Sequence, residues 1–157
     1  MLYFTHSEAR YNHRNEDTIA AQPHPNEANV LLCVLADGQG GRIGGAVASH
    51  IAVQTSLEIA GTSSVTQLLD RTTWADIVRA ADAAVSGDAD AGFTTLIGLC
   101  VADDRVSGAS CGDSAVVLVS NNHYTELTAK QRKNPPVGSG VALPHHSRLG
   151  LALARRC

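Results

Sequence analysis

Residues 29–41 read NVLLCVLADGQGG, and this stretch decides the fold. Its first eight residues form a short apolar run rich in Val and Leu, which is typical of a buried strand. Asp37 and Gly38 end the run, and the glycines that follow lead into a helical pattern. The stretch therefore predicts a buried strand that is followed by a helix.

Two helices are predicted after this strand. The first covers about residues 41–60, where Ile43, Val47 and Ile51 recur at every fourth position and Gly61 marks the end. The second covers residues 73–85, with Thr73 as its predicted N-cap and an apolar stripe on one side. Because each apolar stripe needs a surface to cover, both helices are expected to pack on a β-sheet.

From residue 93 onward the pattern changes to short β-type runs separated by turns. Strands are predicted at residues 94–102, 106–111, 115–120 and 124–128, as an antiparallel meander of four strands, with one further strand at 149–154. Helices that flank consecutive hairpins predict an α+β fold. A doubly wound parallel sheet is disfavoured, because there a helix follows each strand.

Composition limits the class of protein. A chain of 157 residues with 44% hydrophobic side chains is expected to form one domain around one core. The net charge of −3 and the scattered basic residues argue against nucleic-acid binding. No secretory signal or membrane-length apolar run occurs, so a cytoplasmic protein without a membrane partner is expected. The four cysteines lack CxxC spacing and are predicted to be free thiols.

Two acidic residues lie at the ends of predicted neighbouring strands. Asp17 precedes the β-like residues 18–21, and Asp37 ends the buried strand, so their carboxylates can converge. Mg²⁺ and Mn²⁺ prefer such oxygens, and Gly38 could add its carbonyl because no side chain blocks it. A pair of such ions can hold a bridging hydroxide and orient a phosphate for attack. An isolated Asp-Gly, however, is more often an ordinary turn.

Four short motifs occur along the chain: NED at 15–17, DGQGG at 37–41, GFTTL at 92–96 and GDS at 112–114. In this order they resemble the metal-dependent serine/threonine protein phosphatases of the type 2C (PPM) family, over about the first 130 residues. The resemblance implies a layered α-β-β-α sandwich with antiparallel β-sheets flanked by helices. It also implies hydrolysis of phosphoserine and phosphothreonine in phosphoprotein substrates by a metal-bridged hydroxide, with two Mg²⁺ or Mn²⁺ ions in the complete fold.

The resemblance also implies roles for individual residues. Asp17 and Asp37 would be the catalytic metal ligands, and Gly38 would bind an ion through its carbonyl. Asp113 would bind a third, weakly held metal ion. Glu16 would contact the metal site through a water molecule or through one of the metal ligands.

Three features depart from the family pattern. Asn12 stands where relatives have a phosphate-binding arginine, and Arg10 and Arg14 are out of register. Gln39 stands where some relatives have a histidine proposed as general acid, and glutamine has no proton to give. No second Asp-Gly and no Asp-Asn follow Asp37, so the later metal aspartates, and with them the C-terminal part of the fold, are expected to be missing.

Two other functions are weighed against catalysis. The missing aspartates are equally consistent with a catalytically weak or inactive phosphatase-like module that binds partners. A nucleotide site is suggested by the glycines between strand and helix, but the third glycine of a GxGxxG motif would fall at Ile43. A nucleotide-binding function is therefore disfavoured.

Overall fold

The computed structural model describes residues 1–9, 14–39, 44–70, 72–120 and 123–150. In chain order its elements are β1 Asp17–His24, β2 Glu27–Asp37, α1 Gly45–Thr62, α2 Val65–Leu68, α3 Thr73–Ser86, β3 Leu96–Ala102, β4 Arg105–Cys111, β5 Val117–Ser120, β6 His123–Glu126 and β7 His145–Gly150.

Five of the strands form one antiparallel sheet in the order β1-β2-β3-β4-β7, and β5 and β6 pair separately as a hairpin. Helix α1 packs on β1 and β2, and α3 packs beside it on β3 and β4. The predicted α+β class, with helices packed on antiparallel sheet, is confirmed. We call the side of the sheet that faces these helices the helix face and the opposite side the outer face.

Alternation along β2 explains its continuous apolar run. Val30, Leu32, Val34 and Ala36 are buried on the helix face, in one core with α1 and α3. The intervening residues Leu31, Cys33 and Leu35 point to the outer face, where they pair in register with apolar residues of β3. Both faces of β2 are therefore apolar because both take part in side-chain packing.

The β1–β2 pair keeps one register from Asp17↔Asp37 to Pro23↔Leu31, and then shifts at a β-bulge so that His24 pairs with Glu27. The extra residues of β2 are absorbed there, next to the turn at Pro25 and Asn26. The irregular part of the hairpin therefore lies at the opposite end from the two acidic residues.

Two helix boundaries differ from prediction. Helix α1 begins at Gly45, after Gly44 with φ 92°, rather than near residue 41, and residues 40–43 lie outside the described part. Helix α3 has Thr72, not Thr73, as its N-cap. The hydroxyl of Thr72 donates to Asp70 at 2.6 Å instead of capping the helix, and Thr73 is already helical.

The predicted four-stranded meander is wrong in the pairing of its third strand with its second, whereas the third and fourth strands occur as β5 and β6 and pair antiparallel as predicted. The chain leaves the sheet at Gly112, whose φ is 118°, and β5 pairs with β6 rather than with β4. Val116 and Leu127, at the base of that hairpin, lie near Ile97 on the outer face. The free edge of β4 is taken by β7, which overlaps the predicted strand 149–154 only at its end, while residues 151–157 lie outside the described part.

Cys33, Cys100 and Cys111 are free thiols, as predicted, and Cys157 lies outside the described residues. Burial raises the pKa of Cys33 to about 11, so this thiol is a poor nucleophile near neutral pH. In the described part of the chain, no helix combines the length and the apolar character needed to cross a membrane.

Trp74 is 0% exposed and fills the space between α3 and the sheet. Its ring covers Gly98 of β3 so closely that a Cβ at that position would lie 2.7 Å from the ring carbon Cζ3. The indole N–H donates to the carbonyl of Leu68 at 3.0 Å, which restricts how far the ring can move. The sheet therefore tolerates no side chain under this ring.

We expect Gly98→Ala to lower the free energy of unfolding by about 1–3 kcal/mol, because the added methyl overpacks the core against Trp74. The matched control is Gly61→Ala in α1, where a Cβ would meet only Pro25 at an ordinary 3.7 Å. This control should raise stability by about 0.5–1 kcal/mol through helix propensity. Urea unfolding of both variants measures the difference, and equal effects would contradict the packing described here.

Candidate functional site

The two acidic residues predicted to converge are direct neighbours across the β1–β2 pair. Asp17 begins β1, Asp37 ends β2, and the antiparallel register sets them opposite each other. Directly opposed residues on antiparallel strands point to the same face of the sheet. That face is the outer face, because Ala36 points into the helix-packed core. The two carboxyl groups thus share one end of the outer face.

Hydrogen bonds fix the chain that leads into Asp17. The side-chain oxygen of Asn15 accepts from the amide of Asp17 at 3.0 Å, as in an Asx turn. The carbonyl of Glu16 accepts from the amide of Gly38 at 3.1 Å and from the hydroxyl of Ser49 in α1 at 2.6 Å. The NED motif is therefore tied both to the end of β2 and to the first helix.

Gly38 lies where no side chain would fit. The carbonyl oxygens of Gly45 and Glu16 would be within 2.4 Å and 2.5 Å of a Cβ at this position. The missing side chain lets the first turn of α1 and the chain before β1 approach the end of β2. Close packing therefore requires a glycine after Asp37, whether or not an ion is bound there. The role of the Gly38 carbonyl as a metal ligand stays a prediction.

The GFTTL segment anchors the backbone of Asp37. The carbonyl of Asp37 accepts from the amide of Thr95 and from the hydroxyl of Thr94, both at 2.9 Å. The amide of Asp37 donates to the hydroxyl of Thr95 at 3.0 Å. Both polar backbone groups of Asp37 are therefore hydrogen-bonded to this pair of adjacent threonines, which fixes the direction of its side chain.

Asp37 lies in an acidic environment. Partial burial, a hydrogen bond with Asp17 and the charges of Asp17, Asp113 and Glu16 together raise the pKa of Asp37 from 3.8 to about 6. Desolvation is the largest of these causes, and the carboxylate of Asp17 comes next. The carboxyl groups thus repel one another when ionised, and a proton or a cation between them relieves that repulsion.

Asp113 lies in the turn after β4, next to Gly112. Its carboxylate forms an ion pair of 2.6 Å with the ammonium of Lys133, and the hydrogen bond and charge of Asp113 raise the pKa of Lys133. The hydroxyls of Ser114 and Thr95 are 2.7 Å apart. This hydrogen bond joins the GDS turn to the threonine that holds Asp37, so both motifs belong to one site.

These segments enclose a cleft of about 230 Å³. It is lined by Asp37 and Gln39 after β2, by Thr94 and Thr95, by Gly112 and Asp113, and by Lys133, Asn134 and Pro136. The cleft thus carries the carboxylates of Asp37 and Asp113 together with an ammonium that is paired with Asp113. Such a surface suits a ligand with both cationic and anionic parts, for example a divalent ion together with a phosphate group.

Not every residue named from the sequence can be placed. Arg10, Asn12, Gly40 and Gly41 lie outside the described part, and Arg14 is exposed. In the ranges that the structure describes, no three His, Cys, Asp or Glu side chains gather closely enough to hold a metal by themselves. The site as described offers the carboxylate pair of Asp17 and Asp37, with Asp113 nearby.

Sequence reasoning missed the part of Lys133 in the cleft. The sequence shows it only as one of a few basic residues in a polar stretch, and no spacing relates it to Asp113. The signal that could have indicated it is the GDS turn, since a cation downstream of an exposed turn carboxylate can fold back onto it.

Comparison with solved structures shows the same fold in bacterial enzymes. A serine/threonine phosphatase from S. agalactiae matches with a TM-score of 0.71 and 20% identity over 92% of this chain and 71% of that chain. The catalytic domain of the serine/threonine protein phosphatase PstP, in complex with 2 manganese ions, matches with a TM-score of 0.69 and 23% identity over 92% of this chain and 68% of that chain. The predicted layered fold is thereby confirmed.

Sequence comparison gives the family. Over 110 residues, the chain is 29% identical to a protein of Streptococcus pyogenes serotype M6 whose assigned name places it among the 2C-type protein phosphatases. The alignment spans 66% of this chain and 45% of that relative. The family model described as Protein phosphatase 2C matches residues 6–138, which include all four motifs. The chain therefore belongs to the protein phosphatase 2C family.

Proposed function

We propose that this chain carries the first part of a site for metal-dependent hydrolysis of phosphoserine and phosphothreonine in proteins. The observation that supports this most directly is the pairing of Asp17 with Asp37, which sets two carboxylates against each other at the end of the outer face. Partial burial first, and the neighbouring carboxylate of Asp17 second, raise the pKa of Asp37 to about 6. A divalent cation would replace the proton that otherwise relieves the repulsion.

The donor set fits Mg²⁺ or Mn²⁺. Asp17 and Asp37 would supply carboxylate oxygens, Gly38 would supply its carbonyl, and Asp113 would serve a further ion. The two manganese ions in the PstP structure support two ions in the complete site. When bound, such ions neutralise phosphate charge and make water nucleophilic near neutral pH. The chain itself holds these ligands in place through Asn15 and the two threonines.

The cleft also offers an anion-binding group. The ammonium of Lys133 lies beside Asp113 in the cleft and is largely exposed, so it can turn from Asp113 towards a phosphate that enters the cleft. We propose that Lys133 contributes to phosphate binding, the role that an arginine has in relatives at the position of Asn12. The side chain of Gln39 can donate a hydrogen bond to the substrate, but it cannot protonate a leaving group.

The alternative is a phosphatase-like module that binds partners and turns over little or nothing. It is supported by the described residues, which bring Asp17 and Asp37 together but gather no three His, Cys, Asp or Glu side chains closely enough to hold a metal by themselves. We also propose that the 157 residues form one phosphatase-like domain that lacks the C-terminal part of the family fold. The chain spans only 45% of the curated relative, so the whole enzyme's activity is a proposal for this chain.

The pKa of Asp37 gives a prediction about stability. Because it rises from 3.8 to about 6 on folding, the folded metal-free chain binds more protons than the unfolded chain between about pH 4 and 6. The free energy of unfolding should therefore decrease as pH rises through this window. At pH 7, Asp37→Asn should be more stable than wild type by up to about 1 kcal/mol, since partial exposure screens the repulsion.

Urea titrations between pH 4 and 7.5, in the presence of EDTA, measure this difference. Asp104→Asn, in the exposed turn between β3 and β4, is the matched control and should follow the wild-type curve. With millimolar Mn²⁺ at pH 7 the order should reverse, because the ion stabilises the wild type through binding and Asp37→Asn loses a ligand. An Asp37→Asn variant that is less stable than wild type in EDTA would contradict the electrostatic description of the site.

The ligand count gives a prediction about activity. An octahedral ion takes six oxygens, and Asp17, Asp37 and the Gly38 carbonyl supply half of one shell. Because a misplacement of ~1 Å can cost on the order of a hundredfold in rate, the 157-residue chain should hydrolyse p-nitrophenyl phosphate very slowly at millimolar Mn²⁺. The same chain extended by the family's later aspartates should be markedly faster.

Asp37→Asn should abolish the remaining rate in both forms. Full, Asp37-dependent turnover by the short chain would show that the ligand count is wrong. If neither form shows metal-dependent hydrolysis, the partner-binding module replaces the phosphatase as the proposed function.

Lys133 can be tested by anion binding. Lys133→Met should weaken the binding of inorganic phosphate to the Mn²⁺-loaded chain by about two- to fivefold, the range expected for one exposed charge contact. Lys130→Met removes an exposed charge outside the cleft and should leave the affinity unchanged. Isothermal titration calorimetry measures both, and equal affinities for the two variants would remove Lys133 from the site.

A further inference from the structure

Asp82, on α3, is a buried carboxylate that the proposed chemistry does not use. Its side chain is on the inner side of the helix, and the residue is only 5% exposed. Among the residues that the structure describes, no Lys, Arg or His lies within ion-pair distance of it. Burial of a carboxylate without a cation is costly unless several hydrogen bonds compensate for the lost water.

Three backbone amides of one loop supply this compensation. One carboxylate oxygen accepts from the amides of Gly138 at 2.7 Å and Gly140 at 3.1 Å, and the other accepts from the amide of Ala142 at 3.0 Å. Alternate amides can turn to the same side because Gly138 and Gly140 have φ values of 100° and 74°. The loop is thus wrapped around the side chain of Asp82, whose two oxygens accept from three of its amides.

The same loop forms one wall of the cleft. Pro136 lines the cleft, and Val137, which is 0% exposed, exchanges two backbone hydrogen bonds of 3.0 Å with Thr94. The hydroxyl of Thr94 in turn donates to the carbonyl of Asp37. Hydrogen bonds therefore connect Asp82 to the loop at Gly138, the adjacent Val137 to Thr94, and Thr94 to the backbone of Asp37.

We propose that Asp82 is a positioning residue of the site. By gathering the amides of Gly138, Gly140 and Ala142, it holds the loop of residues 136–142 against Thr94, and so fixes the cleft wall and the backbone of Asp37. Its effect on turnover rests on the proposed phosphatase function. Its effect on the geometry of the cleft does not, and that part can be measured without metal or substrate.

Three variants separate this role from a general contribution to stability. Asp82→Ala removes all three acceptor contacts. Asp82→Asn keeps one acceptor oxygen but sets an NH₂ group against at least one amide donor, so it should have a smaller effect of the same kind. Ile77→Ala is the control, because it removes buried packing from the same helix and leaves the loop's hydrogen bonds in place.

Amide hydrogen exchange of the metal-free chain is the primary measurement. Asp82→Ala should lower the protection of Gly138, Gly140 and Ala142 at least tenfold, and that of Thr94 and Val137 several-fold, relative to Leu32 in β2. Ile77→Ala should not change these ratios. If Asp82→Ala fails to fold, Asp82→Asn is expected to show the same pattern with smaller ratios.

Loss of protection confined to residues 138–142, with Thr94 and Val137 unchanged, would overturn the proposal, as would an Asp82 variant that behaves like Ile77→Ala. Mn²⁺ affinity, measured by calorimetry, is the second readout and should fall several-fold in Asp82→Ala but not in the control. If the wild type hydrolyses no phosphate ester, the proposed function fails, whereas the exchange result still decides the role of Asp82.

Discussion

The packing of β2 on both of its faces, complete on the helix face and partial on the outer face at Cys33 and Leu35, is the constraint on which the rest of the structure depends. A strand that is apolar on alternate residues can be covered by helices on one side only, but β2 is apolar at every position from Val30 to Ala36. It lies inside the sheet, between β1 and β3, and α1 packs against its helix face. Once β2 is placed in this way, the position of its last residue, Asp37, follows.

The candidate site is built from the ends of elements whose centres form the core. Asp37 ends the buried strand, Thr94 and Thr95 precede β3, and Asp113 follows β4. Their backbones are held by a dense set of hydrogen bonds, while their side chains leave the apolar layer and meet at the same edge. Close packing of the core thus holds mutually repelling carboxylates near one another. A cation bound between them would relieve this repulsion, which would strengthen its binding to the folded chain.

The sequence was informative where local pattern and tertiary structure agree. Strand β2 and the helices show in apolar periodicity, and the acidic residues show through four ordered motifs. Pattern failed for β7, whose sequence HHSRLG has no strand alternation and which is defined by pairing with β4. It also failed for Lys133 and Asp82. Lys133 contacts Asp113, which is 20 positions earlier in the chain, and Asp82 contacts a loop more than 50 positions later. Such contacts leave no periodic trace in the chain.

The β-bulge at Pro23 and His24 separates the turn of the first hairpin from its acidic end. From Pro23 back to Asp17 the pairing is regular, so a slip of one residue there would set Asp17 against Ala36 and turn one carboxylate towards the helices. The exposed Asn26 lies in the turn at the far end of the hairpin from the two carboxylates, so a fluorophore attached there would stand away from the site.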